Sequence, residues 1–578
     1  MVDQIRPKDL VVGTPNGSAA LLFDNGVTVN RTTPLGLVDA ARPVASQADA
    51  ESGVDNAKIV TPLRVGQAID ALSVTPAKLA STDPAKGAGL VGYSGTATYT
   101  DGTAGAALVE IVRPTMAPFY AVGDDATNND AAINAAVLFA QSRGGGVVEL
   151  PYGNFRYTNI VIPVGPAVTI RGQGFGTALI HTGATGNGVE IRANDSSIQH
   201  CRLTSSVTRT NYDPFVLLAG GNSFVTECSF DADKCGIKMT GVNCDIYFNV
   251  FANGAAGARR IWATGGDLSQ SIHDNLMHYQ PPGVQAGIFT DDSAALKIYN
   301  NDIIGQGFDL FVSPGNGQVV ASLRSYDNFY DTALGGIAIS PQGTGRVIRG
   351  KSSGDWASSH SANGIVLDST GSTLTGTTAA IDGFDVIDSE THLNGNNGIV
   401  ILGTKTINVR VDGVPRARAN AAGDSVFVGQ GVTKFSIKGL QCEAADDLNV
   451  NQYGIYLAGL NDDYEITGCD LRWQSVASLF GHTGWSPTKR VWGNRGYVTA
   501  SSGTSAVASG SSSVTISHGL SEAPRQQDIS ITPTIGEGSN PIWLDSTTIT
   551  STQFTVRTTG AAASTLNFAW KASVGDPG

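Results

Sequence analysis

From residue 198 to about 330 apolar and polar positions recur in one short figure: an aliphatic residue, two others, Cys or Asn, one more, then a large apolar residue. It reads "IQHCRL" at 198, "VTECSF" at 225, "IYFNVF" at 246, "IHDNLM" at 272 and "IYNNDI" at 298, with a degenerate "SYDNFY" at 325 and a late "ITGCDL" at 466. The Cys/Asn slot is Cys201, Cys228, Asn249, Asn275, Asn301 and Asn328, in steps of 27, 21, 26, 26 and 27 residues. A β-type unit of about 25 residues is what each coil of a parallel β-helix requires. Coils stack at about 4.8 Å, so one slot per coil falls in a vertical row. An inward Asn can pass its amide N–H to the next Asn and so satisfy groups that burial penalises. Cys201, Cys228 and Cys469 fit the same slot as buried thiols; Cys235, Cys244 and Cys442 do not fit it.

A second strand type follows the first in each coil, usually opened by Gly: "CGIKM", "AGIFT", "FDLFV", "GGIAI", "NGIVL", "NGIVI", "SVFV" and "YGIYL". Such continuous apolar runs suit strands paired on both sides in a parallel sheet. Later coils stretch towards 34 residues, which predicts loops inserted on one face. Loops on a rigid scaffold are where binding and chemistry concentrate.

Upstream, "GDDATNNDAAINAAVLFAQSRGGGVVELPYGNF" (123–155) holds one helix over about 130–143. Asn129 or Asp130 caps it, Ala131, Ile133, Ala136, Val137 and Ala140 form its apolar stripe, and Gly144 ends it. A β-helix leaves its first coil with an open apolar end and unpaired edge groups. This helix is placed to plug that end.

Composition narrows the partners. Charged residues are only 15% of the 578, Gly numbers 71, and the 37 basic against 50 acidic residues leave a net charge of −13. That balance disfavours nucleic acid, which needs a basic face. The first residues, "MVDQIRPKDL", show no apolar signal-peptide core, and no apolar run reaches the length of a membrane span. The expectation is therefore synthesis in a reducing cytoplasm without membrane insertion. The six cysteines form no CxxC pair and no metal-ligand spacing, so neither a metal nor a cofactor is expected.

Three regions follow. Residues 1–118 read as an N-terminal module with short strands ("AALLFDNGVTVN"), a helix over Pro62–Leu72 and a Gly/Thr/Ala-rich connector from 81 to 107. The β-helix runs over 119–500. A Ser/Gly/Ala linker, "TASSGTSAVASGSSS" (499–513), leads into a C-terminal β-domain over 501–578 with the alternation of a small antiparallel sandwich.

With these residues in view the chain resembles a known group. The 123–157 stretch and the "GI-aliphatic" coils look like the pectate-lyase-like right-handed parallel β-helix superfamily. "ESGVDNAKIVTPLRVGQAIDAL" (51–72) is similar to a segment of bacteriophage tail-fibre and tailspike proteins, and "KGAGLVGYSGTATY" (86–99) to the connector leading into phage depolymerase β-helices. The C-terminal "VTISHGLSEAPRQQDISITPT" resembles the small β-domain closing many tail proteins. The resemblance implies an all-β homotrimeric tailspike, part of the virion and attached to the tail or baseplate by its N-terminal module. It would bind, and be expected to depolymerise, bacterial surface polysaccharide such as capsule, exopolysaccharide or O-antigen.

No Ser-His-Asp array, HExxH, P-loop or Rossmann fingerprint is present to perform such cleavage. Glycosidic bonds yield to two carboxylates flanking the scissile oxygen. Counted from the first strand of successive coils, Asp331, Asp355, Asp388 and Glu390 emerge at about one corner, and these are the candidate catalytic residues. One coil apart they would lie about 5 Å from each other, two coils apart about 9–10 Å. Trp356 offers a flat face to a sugar ring or fills a trimer interface, and His360 and His392 lie close enough to add hydrogen bonds. Asp291 and Asp292 in "FTDDS", with Asp368 in "IVLDS", form a second substrate-binding cluster. Each Asp has an alternative use as a turn cap. Endo-glycoside hydrolysis is the first reading. A tail fibre that only adheres is an alternative. So is a lyase acting by β-elimination, with Ca²⁺ held by carboxylates and a base near Arg346, Arg349 and Lys351.

Overall fold

Strand after strand stacks parallel and in register, so that the chain winds as a solenoid. The structure, a computed structural model, describes residues 20–22, 28–30 and 111–578, apart from 232–233, 266–268, 279–284, 306, 419, 421–422, 443–450, 483–485, 535–540 and 575–578. The chain divides into two units, Met1–Val109 and Glu110–Gly578. In the first, Ala20–Leu22 pairs antiparallel with Thr28–Asn30. The expected helix over Pro62–Leu72 and the connector from 81 to 107 lie outside the described residues.

The second unit is a parallel β-helix. One sheet of 13 strands runs from Ile160–Ile162 to Ala477–Phe480 and contains every Gly-opened strand singled out in the sequence. The recurring Cys/Asn figure, read as one strand, is two. In the figure at 198, Ser197–Gln199 belongs to a second sheet and Arg202–Ser205 to a third, of 12 strands. The bend between them is a single residue in left-handed conformation just before the Cys/Asn slot. It is His200 (φ 54°), Glu227 (52°), Phe248 (55°), Asp274 (53°), Asn300 (52°), Asp327 (57°), Gly354 (68°) and Asp388 (51°) in successive coils. Non-glycine residues there cost about 1–2 kcal/mol each, and the stacked neighbours hold them in place. Since the bend position holds such different side chains, it leaves no signature in the early coils.

The interior column of asparagines is present. Each Oδ1 accepts both the backbone N–H and the amide N–H of the preceding Asn: Asn249 on Asn275 at 3.1 and 3.0 Å, Asn275 on Asn301 at 3.1 and 3.0 Å, Asn301 on Asn328 at 3.0 and 2.9 Å. The second amide proton is shared between the carbonyl two residues back, Tyr247, His273 or Tyr299, and one from the coil below, Val225, Ile246 or Ile272. Cys201 and Cys228 continue the column below, Cys228 giving its backbone N–H to Asn249 at 3.1 Å. All six cysteines are buried free thiols, and burial pushes the Cys201 thiol up to about 12.

Helix Asp130–Ser142 closes the first coil. Ile133, Ala136, Val137 and Ala140 face the core. Asn134 satisfies the edge of the 13-stranded sheet, donating to the Asn159 carbonyl at 3.0 Å and accepting from the Val161 N–H at 2.8 Å. Asn129 occupies the cap position but makes no capping bond. It is buried and ties Val122, Thr127 and Arg156 together. Asn128 Oδ1 accepts the Asp130 N–H instead, at 2.8 Å.

After the solenoid, two three-stranded antiparallel sheets share a core that includes Val507, Ile516, Phe554, Val556, Phe568 and Trp570. The Ser/Gly/Ala stretch expected as a linker contains the eight-residue strand Ala500–Val507, paired along Leu566–Ser573. Its small side chains fit because the partner strand supplies the bulk: a Cβ at Gly503 would come within 3.0 Å of the Trp570 indole nitrogen.

Candidate functional site

Outside the bend, the third sheet presents two outward rows. One carries Asp302, Phe329, Trp356 and Glu390 in consecutive coils, the other Ile304, Asp331, Ser358 and His392. Strand alternation points both rows away from the interior, where Tyr330, Ala357 and Thr391 lie, although neighbouring side chains bury Ser358 and His392. In these rows, Phe329 and Trp356 stack at 5.7 Å and 18°, and His392 stands edge-on to Trp356 at 4.4 Å. The Trp356 indole N–H donates to Ser358 Oγ at 3.0 Å, and Ser358 donates to Asp331 Oδ1 at 3.1 Å. Glu390 pairs with Arg416 at 3.4 Å across to the next coil, with side-chain exposures of 23% and 46%. A surface pair of that kind is worth little, and a ligand can compete for either partner.

Of the residues proposed from sequence, Asp331, Trp356, Glu390 and His392 lie on one side of the third sheet, His392 nearly covered at 8% exposure. Asp355 does not. Its side chain is inside the solenoid, fully buried, as the rung after Asn328. Burial pushes its carboxyl up to about 6, against the hydrogen bonds from Ser352 and Asn328 that favour the charge. An interior carboxyl cannot reach a polysaccharide, so Asp355 is a structural residue. Asp388 is one slot out of step with it. Asp388 is the exposed left-handed bend residue, equivalent to Gly354, and Ser389 is the rung. Counting seven residues from Ile348 and from Ile381 placed the two together, but those starts are one residue out of register: Ile381 lies opposite Val347, and Ile348 opposite Asp382.

His360 is buried too. Its Nδ1 lies 2.8 Å from Asn394 Oδ1 and its Nε2 2.9 Å from Asp309 Oδ2, with both side chains of the His360–Asp309 pair at 0% exposure. His360 starts a second interior column, in which Asn394 gives its amide to Asn420 at 3.1 Å and Asn420 its backbone N–H to Asn451 at 2.9 Å. The second acidic cluster does not assemble. Asp291 accepts from the Trp262 indole at 3.1 Å, Asp292 from the Val319 N–H at 3.3 Å and Asp368 from the Thr370 N–H at 2.8 Å. Asp368 ends a strand three coils beyond the one that Asp291 follows, about 14 Å at the coil spacing.

Sequence reasoning missed Phe329, Ser358 and Arg416. Phe329 and Ser358 were findable from their coil positions once the bend was known. Arg416 had no signal, because its coil lacks the Cys/Asn figure.

No protein-family model matches the chain, and no curated protein matches it in sequence. Among solved structures, a double mutant of the tailspike protein of E. coli bacteriophage HK620 is similar in fold. It aligns at a TM-score of 0.50 and 11% identity, over 82% of this chain and 95% of that one. The Dettilon tailspike protein aligns at 0.49 and 16% identity, over 84% and 98%. The HK620 tailspike in complex with a pentasaccharide aligns at 0.44 and 12% identity, over 82% and 95%. At such identities the likeness is one of fold: the solenoid has the parallel β-helix architecture seen in phage tailspikes.

Proposed function

We propose that this chain is a phage tailspike that binds a bacterial surface polysaccharide and cuts it by glycoside hydrolysis. In this reading Asp331 and Glu390 are the acid–base pair and Trp356 is the platform for a sugar ring. The observation that carries the reading is the strip itself. An aromatic pair, two outward carboxylates and a Trp–Ser–Asp hydrogen-bond relay lie within three consecutive coils of a rigid sheet. A sheet rather than a loop holds them, which favours fixed geometry. The fold shared with the HK620 tailspike supports the same reading.

Asp331 and Glu390 are two coils apart along the axis and two residues apart along the strand, about 10 Å by about 7 Å between Cα positions. That is too wide for a covalent pair at about 5 Å. With the side chains turned towards each other it suits one carboxyl protonating the leaving oxygen and the other activating water, which inverts the anomeric centre. The N-terminal module would attach a trimer of the chain to the virion.

The test is release of reducing ends from the host's surface polysaccharide, followed together with the absorbance of unsaturated uronate. Glu390→Gln and Asp331→Asn should each slow release by about a hundredfold or more while binding persists; Asp355→Asn should leave it unchanged. New absorbance would replace hydrolysis by β-elimination. Binding with no cleavage by the wild type would make the protein an adhesin.

A further inference from the structure

On the second sheet, in the coils that lead round the bend into Phe329 and Trp356, three cations stand in one row. Lys297, Arg324 and Lys351 are directly opposite one another in parallel register. Lys297 and Arg324 are exposed and Lys351 is half-buried. Neighbouring coils are about 4.8 Å apart, and like charges directly opposite in a sheet repel. Among the described residues no carboxylate lies within 4.0 Å of any of the three. At the far end Asp385 stands opposite Lys351 one coil on without forming an ion pair with it, and so closes the row there. The two acids at the near end, Asp245 and Asp274, hold His273 at 3.1 and 2.7 Å. Such a row is unexpected in a chain with net charge −13.

Two residues further along each strand runs a rail of rings. His273 and Tyr299 stack at 4.5 Å and 8°, Tyr299 and Tyr326 at 4.9 Å and 3°. Stacked along the axis, these rings cover one another's faces and turn their edges outward. In the next coil the slot opposite Tyr326 holds Ser353, so the rail stops and the far face of Tyr326 has a small neighbour instead of a ring. That opening lies beside Arg324 and Lys351.

We infer that this surface binds an acidic saccharide, lying along the axis with its anionic groups on Lys297, Arg324 and Lys351 and one pyranose face on Tyr326. Resting on the polysaccharide reading above, the inference adds its substrate class. The row delivers a negatively charged chain round the bend to Asp331 and Glu390. Repulsion between the cations is the free-state cost that the anionic groups of the ligand relieve.

The test compares dextran sulfate with neutral dextran of equal chain length on the full protein. We expect dextran sulfate to bind and dextran to bind at least tenfold more weakly, with the difference shrinking as salt rises from about 50 to about 300 mM and the Debye length falls. The Arg324→Gln/Lys351→Gln double variant should lose at least tenfold in dextran sulfate affinity with no fall in melting temperature, because repulsion is removed. Arg143→Gln, on the capping helix, should keep wild-type affinity. Equal binding of both polymers, or unchanged affinity in the double variant, overturns the inference; so does a melting temperature that drops. Wild-type cleavage of a host polysaccharide lacking acidic groups overturns it while leaving the hydrolase reading intact. Dextran sulfate binding that depends on the row, beside an inert response to host polysaccharide, supports the row and removes the hydrolase reading.

Discussion

Asn328 gives both its backbone N–H and its amide N–H to one oxygen of Asp355, at 3.0 and 2.9 Å. The other oxygen of Asp355 accepts from Ser352 at 2.7 Å. The asparagine column thus ends on a carboxyl whose charge burial keeps from the solvent.

A proton on Asp355 follows from that position. The folded carboxyl titrates at about 6 against an ordinary 3.8. The native state therefore binds more protons than the unfolded chain between those values, and stability falls as pH rises through the window, by up to about 3 kcal/mol. Asp424, also pushed up to about 6 by burial, acts in the same direction. Asp355→Asn keeps the acceptor for Asn328 and adds an amide N–H, as in the rungs below. We expect it to raise the melting temperature at pH 8 and to reduce the loss between pH 4 and 8. If the Asp355→Asn variant keeps the pH slope of the wild type, the buried charge is not the cause.

The interior His360–Asp309 contact depends on a missing side chain. Gly336 belongs to the intervening coil, between the strand of Asp309 and that of Ile365. A Cβ on it would lie 2.9 Å from His360 Cε1, 2.6 Å from the Gly364 carbonyl and 3.1 Å from Ala357 Cβ. Gly336→Ala should displace the ring from Asp309 and cost about 1–3 kcal/mol, the usual range for overpacking, as read by denaturant unfolding. A change below about 0.5 kcal/mol would mean that the coil shifts freely.

Much of this was legible beforehand, and each failure has a physical cause. Asn249, Asn275, Asn301 and Asn328 announce a solenoid because one chemistry must recur wherever an interior amide ladder is built. The bend before them asks only for a backbone conformation. Phe248, Glu227 and Asp274 accept it as Gly354 does, and only from Gly354 onward do glycines at 413, 439, 468 and 493 make it visible. Starting the count at Ile348 and at Ile381, which are one residue out of register, put Asp388 beside Asp355. Strand alternation then decides between buried and exposed, so a slip of one residue decides between a ladder rung and a catalytic candidate. His360 escaped for another reason: its partner Asp309 is two coils away, and it reaches that carboxylate only because Gly336 lies between.

At the far end of the solenoid a second titration should oppose that of Asp355. His482 lies nearly buried, with Nδ1 2.7 Å from the Tyr464 hydroxyl and Nε2 3.8 Å from Glu522, which also accepts from Tyr497. Burial holds its pKa below 6.5; Lys489 adds to that effect and Glu522 works against it. The unfolded chain therefore takes up the proton first, and stability falls as pH drops below about 6.5. His482→Gln should flatten this acid-side loss between pH 7 and 5. An acid slope unchanged from wild type would assign it to other groups. Because the two titrations run in opposite directions over overlapping windows, the wild-type profile alone shows neither, and the single variants are needed to separate them.

The relay from Trp356 through Ser358 to Asp331 makes separable predictions for binding and turnover. Trp356→Phe keeps a ring against Phe329 and His392 but loses the N–H that holds Ser358 Oγ at 3.0 Å. Ser358 then loses its orientation towards Asp331, and kcat should fall several-fold, by about the 1 kcal/mol of one hydrogen bond, with KM little changed. Trp356→Ala removes the platform as well, and KM should rise about tenfold on top of that loss, an aromatic contact being worth about 0.5–1.5 kcal/mol. Ser358→Ala should copy the Phe variant in kcat and leave KM alone, since it breaks the same relay one link further on. Should Trp356→Phe and Ser358→Ala both turn over at the wild-type rate while Trp356→Ala loses affinity, the tryptophan is a sugar platform only and Asp331 does not depend on it.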